Sequence, residues 1–201
     1  MFTEKSFAVF EIEGLDERMA AIRSEIQPIF RELNEYFKEN LAPEMTDELF
    51  IHIAQHRRRS VHPPENTWSA ISRKKRGYKM EAHFQLGIFP EYVFMWLSLI
   101  DQPKGKEEMA ERLLEHSEWW NNLPEDMVIN TDHTICTYEP LTTESMAKAL
   151  QRLKKVKKSE LQIGRVIPKE SSLWQNPDQA QAYMLETYHL LLEMNKGLQI
   201  E

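Results

Sequence analysis

Seven histidines, one thiol and two clusters of cations are the residues of this chain that can do chemistry. His52, His56 and His83 fall on strand-like sequence. Histidines on one face of a sheet can hold a metal or move protons near neutral pH. At about 3.3 Å per residue, His52 and His56 stand roughly 13 Å apart on a strand, too far to share one ion without a bend. No metal site is therefore expected, and the plainer role of these rings is hydrogen bonding under a helix or at a sheet edge. The cations are Arg57, Arg58, Arg59 and those of the run 73–79, RKKRGYK. Guanidinium forks match phosphates and carboxylates, Gly77 lets backbone amides approach an anion, and Trp68 or Tyr78 offers a ring for stacking. On a strand three successive arginines alternate, so Arg57 and Arg59 share a side. The site expected from these types is Arg57, Arg59, Trp68, Arg76, Tyr78, Lys79, His83 and Gln85, on a concave basic sheet face. The plainer alternative is a solvated loop ion-paired to the acidic N-terminal helix.

Other candidates are weaker. Cys136, the single cysteine, lies in an apolar stretch and reads as core rather than nucleophile. Asp132 and His133 can form an acid–base pair only where the backbone turns, because neighbours on a strand point to opposite faces. Trp96 can line a pocket with Trp68, whereas Trp119, Trp120 and Trp174 read as helix packing. Lys154, Lys155, Lys157, Lys158 and Arg165 extend the basic patch only if the fold brings them near. No P-loop and no GxGxxG is present, and no motif identifies a cofactor.

The elements that must position these residues follow from periodicity. Residues 6–12 fit a short strand or a helical turn equally. Met19, Ile22, Ile26, Ile29, Phe30, Leu33, Phe37 and Leu41 recur at steps of three and four, which predicts a helix over 16–41, kinked or divided at Pro28. Leu49 to Arg58 alternates as a strand until Pro63-Pro64 forces an extended loop. A short strand is predicted at 68–71. Residues 81–89 place Ala82, Phe84, Leu86 and Ile88 on one face and Glu81, His83, Gln85 and Gly87 on the other. Pro90-Glu91 turns this segment into an apolar strand at 92–100, a hairpin. A helix is predicted over 104–123, with Met109, Leu113, Leu114 and Trp120 buried. One or two short strands follow in 127–138. A helix begins at 143 with Thr143 as N-cap, a strand spans 161–167, and the last helix starts at Asn176-Pro177 and ends near Gly197. The fold class is α+β: one domain over 1–201, with a largely antiparallel sheet and helices mainly on one side.

The net charge of −7 is unevenly spread. Residues 1–50 carry twelve acids and five bases, whereas residues 51–80 carry eight bases and one acid. That asymmetry points to an anionic partner near the second segment. With one cysteine, no internal disulfide is possible. The N-terminus lacks a basic then apolar leader, and the apolar stretch 92–100 is far short of the roughly 20 residues that span a bilayer. The expectation is a cytoplasmic protein with no membrane association.

The segments VFEIEGLDERM, HRRRSVHPPENTWSAI, KRGYKMEAHFQLGIF and RLKKVKKSELQIGR resemble the YktB-like family of bacterial proteins over nearly the whole chain. The resemblance implies an α+β sheet related to the core of biotin ligases and class II synthetases. It implies no catalytic residues, since the family is of unknown function. The family pattern places Asn before the Pro-Pro pair, so His62 departs from it. The run RKKRGYK is similar in residue type to the Arg-Gly phosphate loop of biotin ligases. Three functions remain open. The first is a module binding a phosphate- or carboxylate-bearing ligand, nucleotide or RNA included. The second is a ligase- or transferase-type enzyme using His52, His56 or His83 beside the same anion site. The third is a protein-interaction domain whose acidic helix and basic loop meet partners or each other.

Overall fold

The computed structural model describes residues 1–100 and 103–200. Residues 6–11 are helical: α1 (Glu4–Ala8) runs into a 3-10 turn at Val9–Glu11 that buries Val9 and Phe10, and Ile12 is extended. The apolar stripe of 16–41 becomes α2 (Leu15–Ala21), a π-turn at Ile22–Ile26 and α3 (Gln27–Leu41). The division falls at the π-turn just before Pro28, which stands in the first turn of α3. The Gln27 N–H reaches back five residues to Ile22 O, and the widened turn absorbs the missing proline donor.

The strands are β1 (Phe50–Ile53), β2 (Thr67–Ser72), β3 (His83–Ile88) and β4 (Tyr92–Leu99). Next come α4 (Lys106–Glu115), α5 (Glu118–Asn121), β5 (Val128–Asn130), β6 (Glu139–Pro140) and α6 (Thr143–Lys155). The chain ends with β7 (Leu161–Pro168), α7 (Pro177–Leu190) and α8 (Leu192–Gly197). The strands form one sheet in the order β1-β2-β3-β4-β7-β5-β6, and every pairing is antiparallel. The fold is α+β with helices mainly on one side. Three boundaries differ from the sequence reading. The first strand stops at Ile53 rather than Arg58. The helix over 104–123 breaks at His116-Ser117, and its Leu114 is exposed. Thr142 rather than Thr143 caps α6, accepting the Ser145 N–H at 3.0 Å.

The sheet buries both faces by different means. On one side Ile71, Phe84, Leu86, Met95, Leu97 and Ile163 pack with the buried stripes of α3, α4, α6 and α7 in a single apolar cluster. On the other, Phe89, Tyr92, Phe94, Trp96 and Val128 form a smaller cluster with Trp68, Val166 and Cys136. Close approach on this second side requires Gly87 and Gly164. A Cβ at Gly87 would overlap the Phe94 ring, and one at Gly164 the Met95 carbonyl oxygen. Among the described residues, no helix is long and apolar enough to cross a membrane.

Candidate functional site

The sequence 54–66 leaves the sheet at His56, whose φ of 49° is left-handed. For a non-glycine residue that backbone is strained, and such strain concentrates at functional sites. Arg57, Arg58 and Arg59 are consequently not strand residues. They occupy a turn closed by the Arg59 N–H donating to His56 O at 2.9 Å, and the expectation that they alternate along a strand is corrected. Arg18 of α2 donates to Pro64 O at 3.1 Å and pins the returning loop. The chain re-enters the sheet at Thr67, where the Ala54 N–H donates to Trp68 O at 2.9 Å.

This excursion walls a cavity of about 600 Å³. Its lining includes the cations Arg57, Arg58, Arg59 and Lys79 against one carboxylate, Glu65, together with His56, Asn66, Trp68, Tyr78, His133 and Thr134. The half-buried Trp68 indole is the centre. Lys79 Nζ lies 5.2 Å from its ring centroid, a cation–π distance. His56 and His133 pack edge to face with it at 5.5 and 5.7 Å. Its Nε1–H donates to Tyr78 Oη at 3.0 Å. Gly77, in the left-handed region at φ 74°, turns the chain into the 3-10 segment Tyr78–Met80 that carries both Tyr78 and Lys79.

Below the cavity the sheet floor is polar. Tyr78 stacks on His52 at 4.6 Å and meets His83 edge to face at 5.0 Å. His83 is fully buried. Its Nδ1 lies 2.8 Å from Glu81 O, and its Nε2 lies 3.0 Å from Gln85 Nε2. That pairing makes Nδ1 the protonated nitrogen and Nε2 the acceptor, a neutral ring. Burial pushes its pKa down to about 4 against the opposing hydrogen bond to Glu81 O, and Lys79 adds to the fall. His56 is also held down at about 4, first by burial and then by Arg59 and Lys79. Burial lowers His52 as well.

A model of the DUF1054 family, described as a domain of unknown function, matches residues 2–195. The chain belongs to this family. It is 60% identical over 194 residues to a UPF0637 protein of Enterococcus faecalis, with 96% of each chain covered. It is 52% identical over 199 residues to the UPF0637 protein YsbB of Lactococcus lactis, with 98% of each covered. A UPF0637 protein of Oceanobacillus iheyensis is 40% identical over 193 residues, covering 96% of this chain and 94% of that one. The resemblance to YktB-like bacterial proteins agrees with this membership.

In this DUF1054 chain the fold brings Arg57, Arg59, Trp68, Tyr78 and Lys79 to one cavity. The other three expected residues lie elsewhere. Arg76 is exposed on the 73–79 loop and outside the lining. His83 and Gln85 are buried beneath Tyr78 and bond one another, so they support the floor rather than face the cavity. Trp96 is also buried, stacked on Phe94 at 5.5 Å. The 73–79 loop is no open anion cradle. Arg73 Nε donates to buried Glu81 at 3.0 Å, and Lys74 lies 3.4 Å from the same carboxylate. Of the second basic segment, Arg165 and Lys154 are engaged elsewhere. Arg165 points to the helix-covered side and pairs with Asp126 and Glu186 at 2.9 and 2.8 Å. Lys154 pairs with Glu111 at 3.2 Å.

Sequence reasoning missed Asn66 and Glu160, and weighed His133 only as a partner of Asp132. The backbone does turn after Asn130. Asp132 Oδ1 accepts from the Thr134 N–H at 2.9 Å, so His133 swings away from Asp132 and onto Glu160. Its Nδ1 lies 2.7 and 2.9 Å from the two carboxylate oxygens, and Asn66 Nδ2 donates to His133 O at 2.8 Å. The signal was the polar run Asn130-Thr131-Asp132-His133-Thr134, which is turn composition rather than strand. Asp132, His133 and Glu160 bring three potential metal ligands within 4.8 Å. Asp132 Oδ1 is engaged in the turn, and His133 Nδ1 with both Glu160 oxygens in the pair. Cys136 sits in a loop, half-buried, with Sγ donating to Glu91 at 2.7 Å. Burial and that carboxylate push the thiol up to about 12, the opposite of an activated nucleophile.

Proposed function

We propose that this protein binds a small anionic ligand bearing a phosphate or carboxylate in the Trp68 cavity. The observation that carries the reading is charge within a −7 chain: four cationic side chains line the cavity against one carboxylate, beside a half-buried indole. Arg59 and Lys79 would take the anion, Arg57 and Arg58 the mouth, and Trp68 with Tyr78 the uncharged part of the ligand. Arginine forks give two parallel bonds to a tetrahedral or planar anion. A nucleotide fits this description, with phosphate on the cations and base against the rings.

Equilibrium dialysis of radiolabelled inorganic phosphate, then of nucleoside monophosphates, tests the reading. Saturable binding that weakens about tenfold in Arg59→Ala, an effect of about 1.4 kcal/mol, is the expected result. Binding of neither, or binding that Arg59→Ala and Lys79→Ala leave unchanged, overturns it.

A further inference from the structure

We propose that His133, oriented by Glu160, is the proton-transfer residue of the Trp68 cavity, and that the anion taken there is a phosphate ester which the protein hydrolyses. The inference rests on the cavity being an anion site. Its own warrant is the way His133 is held. The Glu160 carboxylate accepts the His133 backbone N–H at 3.0 Å and meets Nδ1 at 2.7 and 2.9 Å. Asn66 Nδ2 donates to the His133 carbonyl at 2.8 Å. Together these fix the ring's position and place the proton on Nδ1, which leaves the Nε2 lone pair for the cavity that His133 lines. A carboxylate that fixes tautomer and orientation, and stabilises the imidazolium that forms, is the arrangement a general base requires.

The surroundings select the reaction class. Lys79 sits over the same indole that His133 packs against, and Arg59 lines the same cavity. Fixed cations beside a base stabilise the charge that develops on transferring phosphoryl oxygens. Four cations exceed what one carboxylate ligand needs and suit a dianionic phosphate. His56 is bonded to Thr67 Oγ1 at 3.0 Å and, held near pKa 4, is neutral at pH 7, so it is no proton donor there. Nε2 takes a proton from water as the water oxygen forms a bond to phosphorus. The ester P–O bond breaks on the far side of phosphorus, in line with the attack, and the leaving alcohol oxygen takes a proton from solvent while the imidazolium returns its own. The products are inorganic phosphate and an alcohol.

Two measurements on the intact protein test this. The first is acylation by diethyl pyrocarbonate, read by peptide mass spectrometry with and without inorganic phosphate, alongside dialysis of phosphate on the same sample. His133 should be modified. Phosphate at about ten times its own dissociation constant should slow that modification about tenfold, the factor mass action gives. The exposed His62 should be unaffected. If phosphate binds but His133 is unreactive or unprotected, the inference fails while the anion site stands. If phosphate does not bind, both fail. The second measurement is release of p-nitrophenol from p-nitrophenyl phosphate. The wild type should release it, and His133→Asn should lose about 100-fold or more. Glu160→Gln, at a positioning residue, should lower kcat with KM retained. No release by the wild type overturns the hydrolytic role.

Discussion

Along β3, Phe84, Leu86 and Ile88 enter the helix-covered core while His83, Gln85 and Gly87 go beneath the loops, and all six are buried. The helix side is filled mainly by apolar stripes that interdigitate, and its buried polar groups Asn34 and Tyr188 are paired, donating to Ser69 Oγ at 2.6 Å and to Gln85 O at 2.8 Å. The loop side is closed by the turn at 54–66, the 3-10 segment at Tyr78–Met80 and the turn at 131–138. Irregular backbone cannot fill space as densely, and it brings polar groups of its own. The row His83, Ser98, Gln162 and Asn130 crosses β3, β4, β7 and β5 in register. In it, Ser98 Oγ and both amide atoms of Gln162 are buried without a protein hydrogen bond. The helix side thus carries the stability, and the loop side carries the cavity, the neutral histidines and the cations.

Among single substitutions, the largest effect that would sharpen this contrast is on the helix side. Leu86→Ala should destabilise by about 3 kcal/mol, read from the urea midpoint, with phosphate affinity unchanged in the folded protein. A loss of only a few tenths would deny the helix side its role. Next is acid. His56 and His83 stand at about 4 when folded and near 6.5 when unfolded. The unfolded chain therefore binds the protons first as pH falls. Stability should be full above about pH 6.5 and should decline towards about pH 4, by roughly 1.4 kcal/mol per pH unit for each ring. Urea midpoints across that window measure the slope, and His83→Gln should flatten it. A flat profile in the wild type would mean the rings are not buried neutral.

Smaller effects belong to the cavity and its floor. Lys79→Ala should weaken phosphate binding about tenfold, or about 1.4 kcal/mol, without moving the midpoint by a comparable amount. Isothermal titration and urea unfolding of the same preparation separate the two. Smallest of all, Gln162→Met removes an amide with no protein partner and keeps its volume. It should leave stability unchanged or raise it by up to about 1 kcal/mol. A loss above about 2 kcal/mol would show that the amide is hydrogen-bonded in solution and that the two sides differ less than their packing suggests.

The alternation of β3 and the double-sided burial of β4 were legible because pleating repeats every two residues whatever surrounds the strand. The stripe from Met19 to Leu41 was legible because a helix repeats its contacts locally, and the π-turn that absorbs Pro28 moved no apolar residue off that stripe. The charge imbalance that marks 51–80 was likewise a property of the chain alone. Which polar residues share the cavity was not. The left-handed His56 took the three arginines off the strand, and a turn at Asp132 carried His133 to Glu160, 27 residues away. Tyr78 settled over His83 and separated it from the cations. Only tertiary structure decided these placements. Each depends on where loops of no fixed period come to rest on the sheet, and short-range periodicity carries no information about that.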